Sequence, residues 1–412
     1  MKKATPSESV SVDSHGRPAE VKLNRTVKAL GWVSFLTDVH SEAILPLLPL
    51  FVTQVLGLNR TFLGLIEGIA DSTASFLQVV SGWYSDRIRH RKNPTVAGYF
   101  LSTIVKPLLA LSTAGTHVLG IRFLDRVGKG IRTAPRDALI ADSVPGDSLG
   151  LAFGFHRMMD TLGAVGGTII AYALLNGLSG SEGSRIRFVF LLSTIFGAAA
   201  VLILLLFVRE AKPLKEVSPV QDETRTDTDK KRLAVFIGVN TLFHLGMFSY
   251  AFFLLRAQSL GLSTGNVPLI YLLYNIVYAV ASMPMGRLSD SVGRKPVILL
   301  AYSSYAVVCM GFAVASNMWH AWALFALYGV HSATVNPASR ALVAGLSKSR
   351  SRATALGIYH TSVGIAALPA SLVAGMLWDK YGAAVPFLFG GALALAAFVL
   401  TLAISIDGQE RM

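Results

Sequence analysis

A single cysteine, Cys309, stands in 412 residues, so the chain can close no internal disulfide and build no thiolate metal cluster. Charge is also scarce: Asp, Glu, Lys and Arg make up 15% of the residues, against about 25% in an average soluble domain. With 52% hydrophobic residues and a mean hydropathy of +0.54, that scarcity excludes a disordered or ordinary soluble chain. The sequence lacks a phosphate-cradling GxxxxGK[ST] loop and any catalytic constellation, which argues against a nucleotide-driven pump, an enzyme and a bound cofactor. The first 26 residues are polar, lack the apolar core of a secretory signal and read as a cytoplasmic tail.

Long apolar runs take the place of what is missing. They occupy 28–56, 61–82, 94–115, 118–143, 150–177, 187–208, 233–259, 266–285, 296–315, 319–344, 353–377 and 385–405. At about 20 residues per crossing, twelve crossings use about 240 residues and leave the rest for loops and tails. The charged stretch 209–232 reads as a cytoplasmic linker between a six-helix bundle at 28–208 and a second at 233–405. Tails at 1–27 and 406–412 complete the chain.

Lysine and arginine number 37 against 24 acids, a net charge of +13. These cations gather at the N-terminus, in 87–92, in 212–232, at Arg294 and Lys295, and in 348–352, which are every second inter-helix loop. The alternate loops near Gly57, Ala114, Gly261 and Ser316 carry almost none. Such a bias places both termini in the cytoplasm and accounts for the excess charge through the lipid bilayer, without nucleic acid. Short loops and the missing targeting signal suggest a bacterial inner membrane.

An offset of 204 pairs His40 with His244, Gly57 with Gly261, Leu58 with Leu262, Gly82 with Gly286, Ser85 with Ser289, Asp86 with Asp290 and His156 with His360. Ala138 to Ala141 resembles Ala341 to Ala344 at an offset of 203. A parallel repeat of six helices follows. The expected fold class is therefore all-α and integral to the membrane, with twelve transmembrane helices in two parallel six-helix repeats around a central cavity.

Two loops occupy matched places in the repeat. One reads Gly82-Trp-Tyr-Ser-Asp86-Arg87 and runs on through Arg89, Arg91 and Lys92; the other reads Gly286-Arg-Leu-Ser-Asp290-Ser-Val-Gly-Arg294-Lys295. With these the sequence resembles the major facilitator superfamily of secondary transporters, whose loop pattern is glycine, three residues, aspartate, a base, one residue, glycine and two bases. Ser291 replaces one base in the second copy, and Arg89 replaces the glycine in the first. The resemblance covers essentially the whole chain and implies transport of a small molecule by alternating access, by a monomer. It assigns gating to Gly82, Asp86, Arg87, Gly286, Asp290 and Arg294. The fifth run carries Gly154, Gly163, Gly166 and Gly167, similar to the glycine-rich motif of the family's antiporters, though Thr168 stands where that motif has proline. Export is the direction this resemblance implies.

The fourth run contains Arg122, Asp125, Arg126, Lys129, Arg132, Arg136 and Asp137. At 100° per residue these seven fall in a sector about 140° wide, with Leu124, Val127, Ile131 and Ala138 opposite. Facing lipid, each mid-membrane charge costs about 2.5–3.5 kcal/mol, so the stripe must face protein or a water-filled cavity. Arg126, four residues before Gly130, resembles the family's fourth-helix arginine, which is implicated in proton coupling. Asp38 and Glu42, like Glu67 and Asp71, lie four apart and share a helix face. A carboxylate that alternates between an arginine and an apolar setting can load and release a proton, so these four acids and Arg126 are the expected proton-coupling set.

Lys106, Arg122, Asp125, Lys129 and Arg132 are expected in the substrate cavity, with His156 and Asp160 on the glycine face of the fifth run. Arg136 and Asp137 lie nearer the cytoplasm and are assigned to gating. In the second half the repeat sets Tyr271 opposite Glu67, Asn275 opposite Asp71 and Leu242 opposite Asp38, so polarity survives and charge does not. Asn275, Tyr278 and His360 are its cavity candidates. No tight ligand spacing marks a metal site.

The sequence thus reads as a secondary transporter exporting a small organic solute in exchange for protons. Five cations against two acids in the fourth run leave open transport of an organic anion, phosphate-bearing metabolite or metal chelate. A non-transporting sensor or assembly protein that keeps the carrier fold is the alternative of another class.

Overall fold

Proline and polar caps decide where the helices start and where they break. The computed structural model describes residues 24–88, 90–144, 149–210, 227–346 and 352–403. Helix α1 spans Arg25–Ile44 and starts behind Asn24, whose side chain accepts the Thr26 amide. Pro46 and Pro49 interrupt it, since proline offers no amide and crowds the preceding turn. The chain resumes as one turn at Leu48–Leu50 and a π-helical turn at Phe51–Val55, so the single run expected at 28–56 is a broken crossing.

Next come α2 (Arg60–Ile88), α3 (Lys92–Val105, tightening to a 3-10 helix over Lys106–Leu111), α4 (Gly115–Asp142), α5 (Leu149–Gly177) and α6 (Glu182–Phe207). The second half repeats the series. Helix α7 covers Asp227–Gly246 and restarts at Tyr250–Ser259 behind the Ser249 cap. It is followed by α8 (Val267–Val292), α9 (Arg294–Val314), α10 (Met318–Leu346), α11 (Arg352–Tyr381) and α12 (Val385–Ala403). The linker expected at 209–232 is shorter at its far end, because α7 already begins at Asp227. Most of its remainder lies outside the described residues.

Among the described residues, ten crossings are long and apolar enough to span a membrane. Helices α4 and α10, 28 and 29 residues long, complete the two sets of six. Large apolar side chains such as Ile195, Leu206 and Val314 stand exposed on the outside, as a lipid-facing surface requires.

The repeat is visible atom by atom. Gly57 and Gly261 both take the left-handed conformation, with φ of +66° and +100°. Lys92 and Lys295 each donate to a last-turn carbonyl of their half's sixth helix, Leu205 at 3.1 Å and Leu402 at 3.2 Å. His117 and His320 each accept an amide four residues upstream, from Thr113 and Ser316.

The halves meet along α2 with α11 and along α5 with α8. They are tied together at the end that carries the cation-poor loops. There the Asp379 carboxylate accepts the Arg60 amide at 3.1 Å and the Thr61 amide at 2.7 Å, capping α2 from the opposite half. Gln54 donates to its repeat mate Gln258 at 2.6 Å, and Asn176 donates to the Gly265 carbonyl at 3.2 Å. The space between the halves therefore lies below this seal, toward the end with the basic loops.

Candidate functional site

Helix α4 supplies the site because its backbone is pinned from two sides. A Cβ on Gly128 would collide with the Gly98 carbonyl of α3 at 2.7 Å, and one on Gly130 would press on the Leu77 Cβ of α2. Only glycine permits both approaches. Phe123 and Leu124 point outward, 43% and 41% exposed, while the charged stripe turns inward, as the helical spacing predicts.

A buried ion-pair network runs through the inner face. Arg122 Nη2 donates to both Glu67 oxygens of α2, at 2.9 and 3.2 Å. Asp125 stands within 3.5 Å of Arg122 and 3.4 Å of Lys106 Nζ, with Arg126 Nε at 3.8 Å. Ser102 of α3 donates to Asp125, and Lys106 donates to Ser41 of α1 at 2.6 Å. Ser249 of α7 reaches across from the second half to Glu67 at 3.3 Å. The network thus joins four helices of one half to one of the other. With every charge partnered it is tolerable in the interior; removal of a single partner strands the rest.

Five charged residues stay outside it. Among the described residues Asp38, Glu42, Asp71, Lys129 and Arg132 form no ion pair within 4.0 Å. Arg132 instead lies over the Tyr99 ring, 4.4 Å from its centroid. Asp38 is backed by α5, where Gly163 packs on the α1 backbone so closely that a Cβ would come within 2.9 Å of the Asp38 Cβ. The glycine face of α5 is therefore a packing surface for α1. Beside it Ser34 donates to Asp160, with His156 Nδ1 at 3.6 Å and Arg157 at 3.9 Å from the same carboxylate.

These groups surround two adjoining chambers. The larger, about 590 Å³, lies within the first half and is lined by Asp38, Glu42, Lys106, Arg122, Asp125, Arg126, Lys129, Arg132, Arg136, Asp137, His156 and Asp160. The smaller, about 400 Å³, lies between the halves, with Asp71 on one wall and Phe248, Tyr250 and Tyr328 on the other. Gln78, Arg126, Lys129 and Thr133 border both. Glu67 sits behind the walls, locked to Arg122.

The second-half candidates are placed differently. Asn275, Tyr278 and His360 line neither chamber. Tyr278 accepts a 2.9 Å hydrogen bond from Arg157 across the α5–α8 contact, Asn275 is half-buried, and the His360 ring packs against Tyr359. Along that side of α8, Tyr271, Tyr274 and Tyr278 stack on one another.

Of the gating residues, Gly82 lies against Ala134 of α4 and Arg87 stacks over Trp83 at 5.6 Å. Arg136 and Asp137 pair with each other at 2.8 Å. Arg294 is half-buried at the start of α9. Gly286 and the side chains of Asp86 and Asp290 lie outside the described residues. Sequence reasoning missed Ser34, Ser41, Ser102 and Gln78. The first two share the Asp38 face of α1 at four- and three-residue spacing, which was a usable signal.

The model of the Major Facilitator Superfamily matches residues 30–255 and 234–410, one stretch for each half. An uncharacterized MFS-type transporter of Methanocaldococcus jannaschii is 39% identical over 389 residues, 93% of this chain and 96% of that protein. The Multidrug resistance protein MdtG of Proteus mirabilis is 34% identical over 145 residues, 35% of each chain. Among solved structures, the nucleoside transporter NupG superposes with a TM-score of 0.75 at 14% identity, covering 92% of this chain and 98% of that one. Two repeats of six helices, a charged cavity between them and a match along both halves lead to one conclusion: the chain belongs to the major facilitator superfamily.

Proposed function

We propose that this secondary transporter exports a small organic solute in exchange for protons, as a monomer in a bacterial inner membrane with both termini cytoplasmic. The observation that carries the proton is Asp38. It lies near the middle of the broken first crossing, Arg25–Val55, faces the larger chamber, has no cation within 4.0 Å among the described residues and is held from behind by Gly163. A carboxylate so placed can be neutralised by a proton in one conformer and by a solute or a cation in the other. Asp71 likewise has no cation within 4.0 Å among the described residues, Glu42 shares a hydrogen bond with Tyr271 of the second half, and Glu67, held by Arg122, acts as structure.

The cavity is sealed at the end bearing the cation-poor loops. Under the positive-inside bias this is the outer end, so the conformer is one that receives solute from the cytoplasm. Partial likeness to a multidrug resistance protein supports the outward direction. The test is growth of an efflux-deficient bacterium expressing the protein or its Asp38→Asn variant at equal membrane levels, across cationic, neutral and anionic compounds. A resistance shift that vanishes in the variant is the expected result. Resistance that survives Asp38→Asn removes the carboxylate from the coupling, and no shift for any compound removes export.

A further inference from the structure

We propose that the cavity takes an amphoteric solute: an anionic group seated between Arg126 and Lys129, a neighbouring protonated amine at Asp38, and an apolar body in the aromatic chamber. The inference rests on the carrier reading above and adds the class of its substrate.

Charges of both signs are left without partners in one space. Lys129 and Arg132 have no carboxylate within 4.0 Å, and Asp38 has no cation, among the described residues. The charged groups facing Asp38 are Glu42 on its own helix, Asp160 on α5, and Lys129 and Arg132 on α4, and neither cation comes within 4.0 Å of it. A solute carrying one sign of charge would satisfy one set and leave the other exposed in a poorly hydrated cavity. A solute with both satisfies both.

Donors also point the same way. Arg126 and Arg132 are 8% and 6% exposed, yet Arg126 Nε and Arg132 Nη1 have no hydrogen-bond acceptor. Planar guanidinium donors match the paired oxygens of a carboxylate or a phosphonate. Arg126 and Lys129 border both chambers, so an anion at their junction leaves room for an amine on the Asp38 side and for a body on the other. That other side offers Phe248, Tyr250 and Tyr328, apolar faces suited to a ring or a branched chain. When the ammonium pairs with Asp38, the proton held on its carboxyl oxygen leaves to solvent, which is the exchange that export requires.

The test uses the full chain in proteoliposomes loaded with a pH-sensitive dye, with protein-free vesicles as the blank. Six probes form two sets on matched bodies: phenylalanine, phenethylamine and 3-phenylpropionate; leucine, isopentylamine and 4-methylpentanoate. The amphoteric member of a set is expected to drive proton movement at a concentration about tenfold below its amine-only analogue, the scale of one buried charge pair. Lys129→Gln should raise the concentration needed for the amphoteric probe by about tenfold more than for the amine, and Lys129→Arg should restore it. Amine-only or acid-only probes that match or exceed the amphoteric ones overturn this inference and leave the carrier reading intact. So does a Lys129→Gln effect equal for both probe types. Proton movement with none of the six overturns this inference, and the resistance panel then decides the carrier reading separately.

Discussion

The two halves share a backbone plan and solve the problem of an interior by different chemistry. The first half fills its centre with ion pairs: Glu67, Arg122, Asp125 and Lys106 hold α2, α3 and α4 together. The second fills the corresponding space with rings. Phe253 stacks on Tyr328 at 4.6 Å, Phe243 on Tyr302 at 4.4 Å, and Phe312 on Phe387 at 5.4 Å. Ion pairs are directional and respond to a proton or a charged solute; stacked rings are indifferent to both. One scaffold is used twice, with a charged interior in one copy and an aromatic one in the other.

Breaking the charged half is expected to have the largest effect. Arg122→Leu strands Glu67 in the interior, while Asp125 keeps Lys106 and Arg126, and should cost about 3–5 kcal/mol, read as a fall in the melting temperature of detergent-solubilised protein. Adding Glu67→Gln to that variant should recover part of the loss, because one stranded charge is gone; no recovery would mean that the pair is not the unit of stability. A smaller effect is expected where the halves touch through the network. Ser249→Ala removes the hydroxyl that the second half donates to Glu67 and should cost about 1 kcal/mol by the same assay, with proton-linked flux retained. Smallest, and sharpest as a test of symmetry, are Lys92→Met and Lys295→Met. Each removes a bond to a helix C-terminus and should cost at least about 0.3–1 kcal/mol, with the two losses similar if that bond dominates both. Unequal losses would show that the halves differ in their scaffold as well as their interior.

Much of this was legible in the sequence. Hydropathy and loop charge yielded the crossings, and the 204-residue offset yielded the repeat, since each depends on residue type at fixed spacing. The inward turn of the α4 stripe was legible too, because a lipid-facing charge is too costly to be an alternative. Which charges are paired was not. Glu67 and Asp71 share a helix face and a spacing, yet Glu67 meets Arg122 and Asp71 faces open space; that depends on how far α4 stands from α2, which Gly130 sets. A repeat preserves backbone position, whereas the aromatic packing particular to the second half decides what each position touches.

One contact at the sealed end has an unusual property. Gln54 and Gln258 occupy the same place in the two repeats and bond to each other, so the pseudo-twofold axis passes between them. In a protein made of two identical six-helix subunits this would be one residue meeting its own copy, the situation at the centre of an isologous dimer interface. Such a position accepts only side chains able to pair with themselves. An amide qualifies, being donor and acceptor at once, whereas an aspartate or a lysine would repel its twin. The pair therefore preserves, inside a single chain, the self-complementarity that a dimeric arrangement would have demanded.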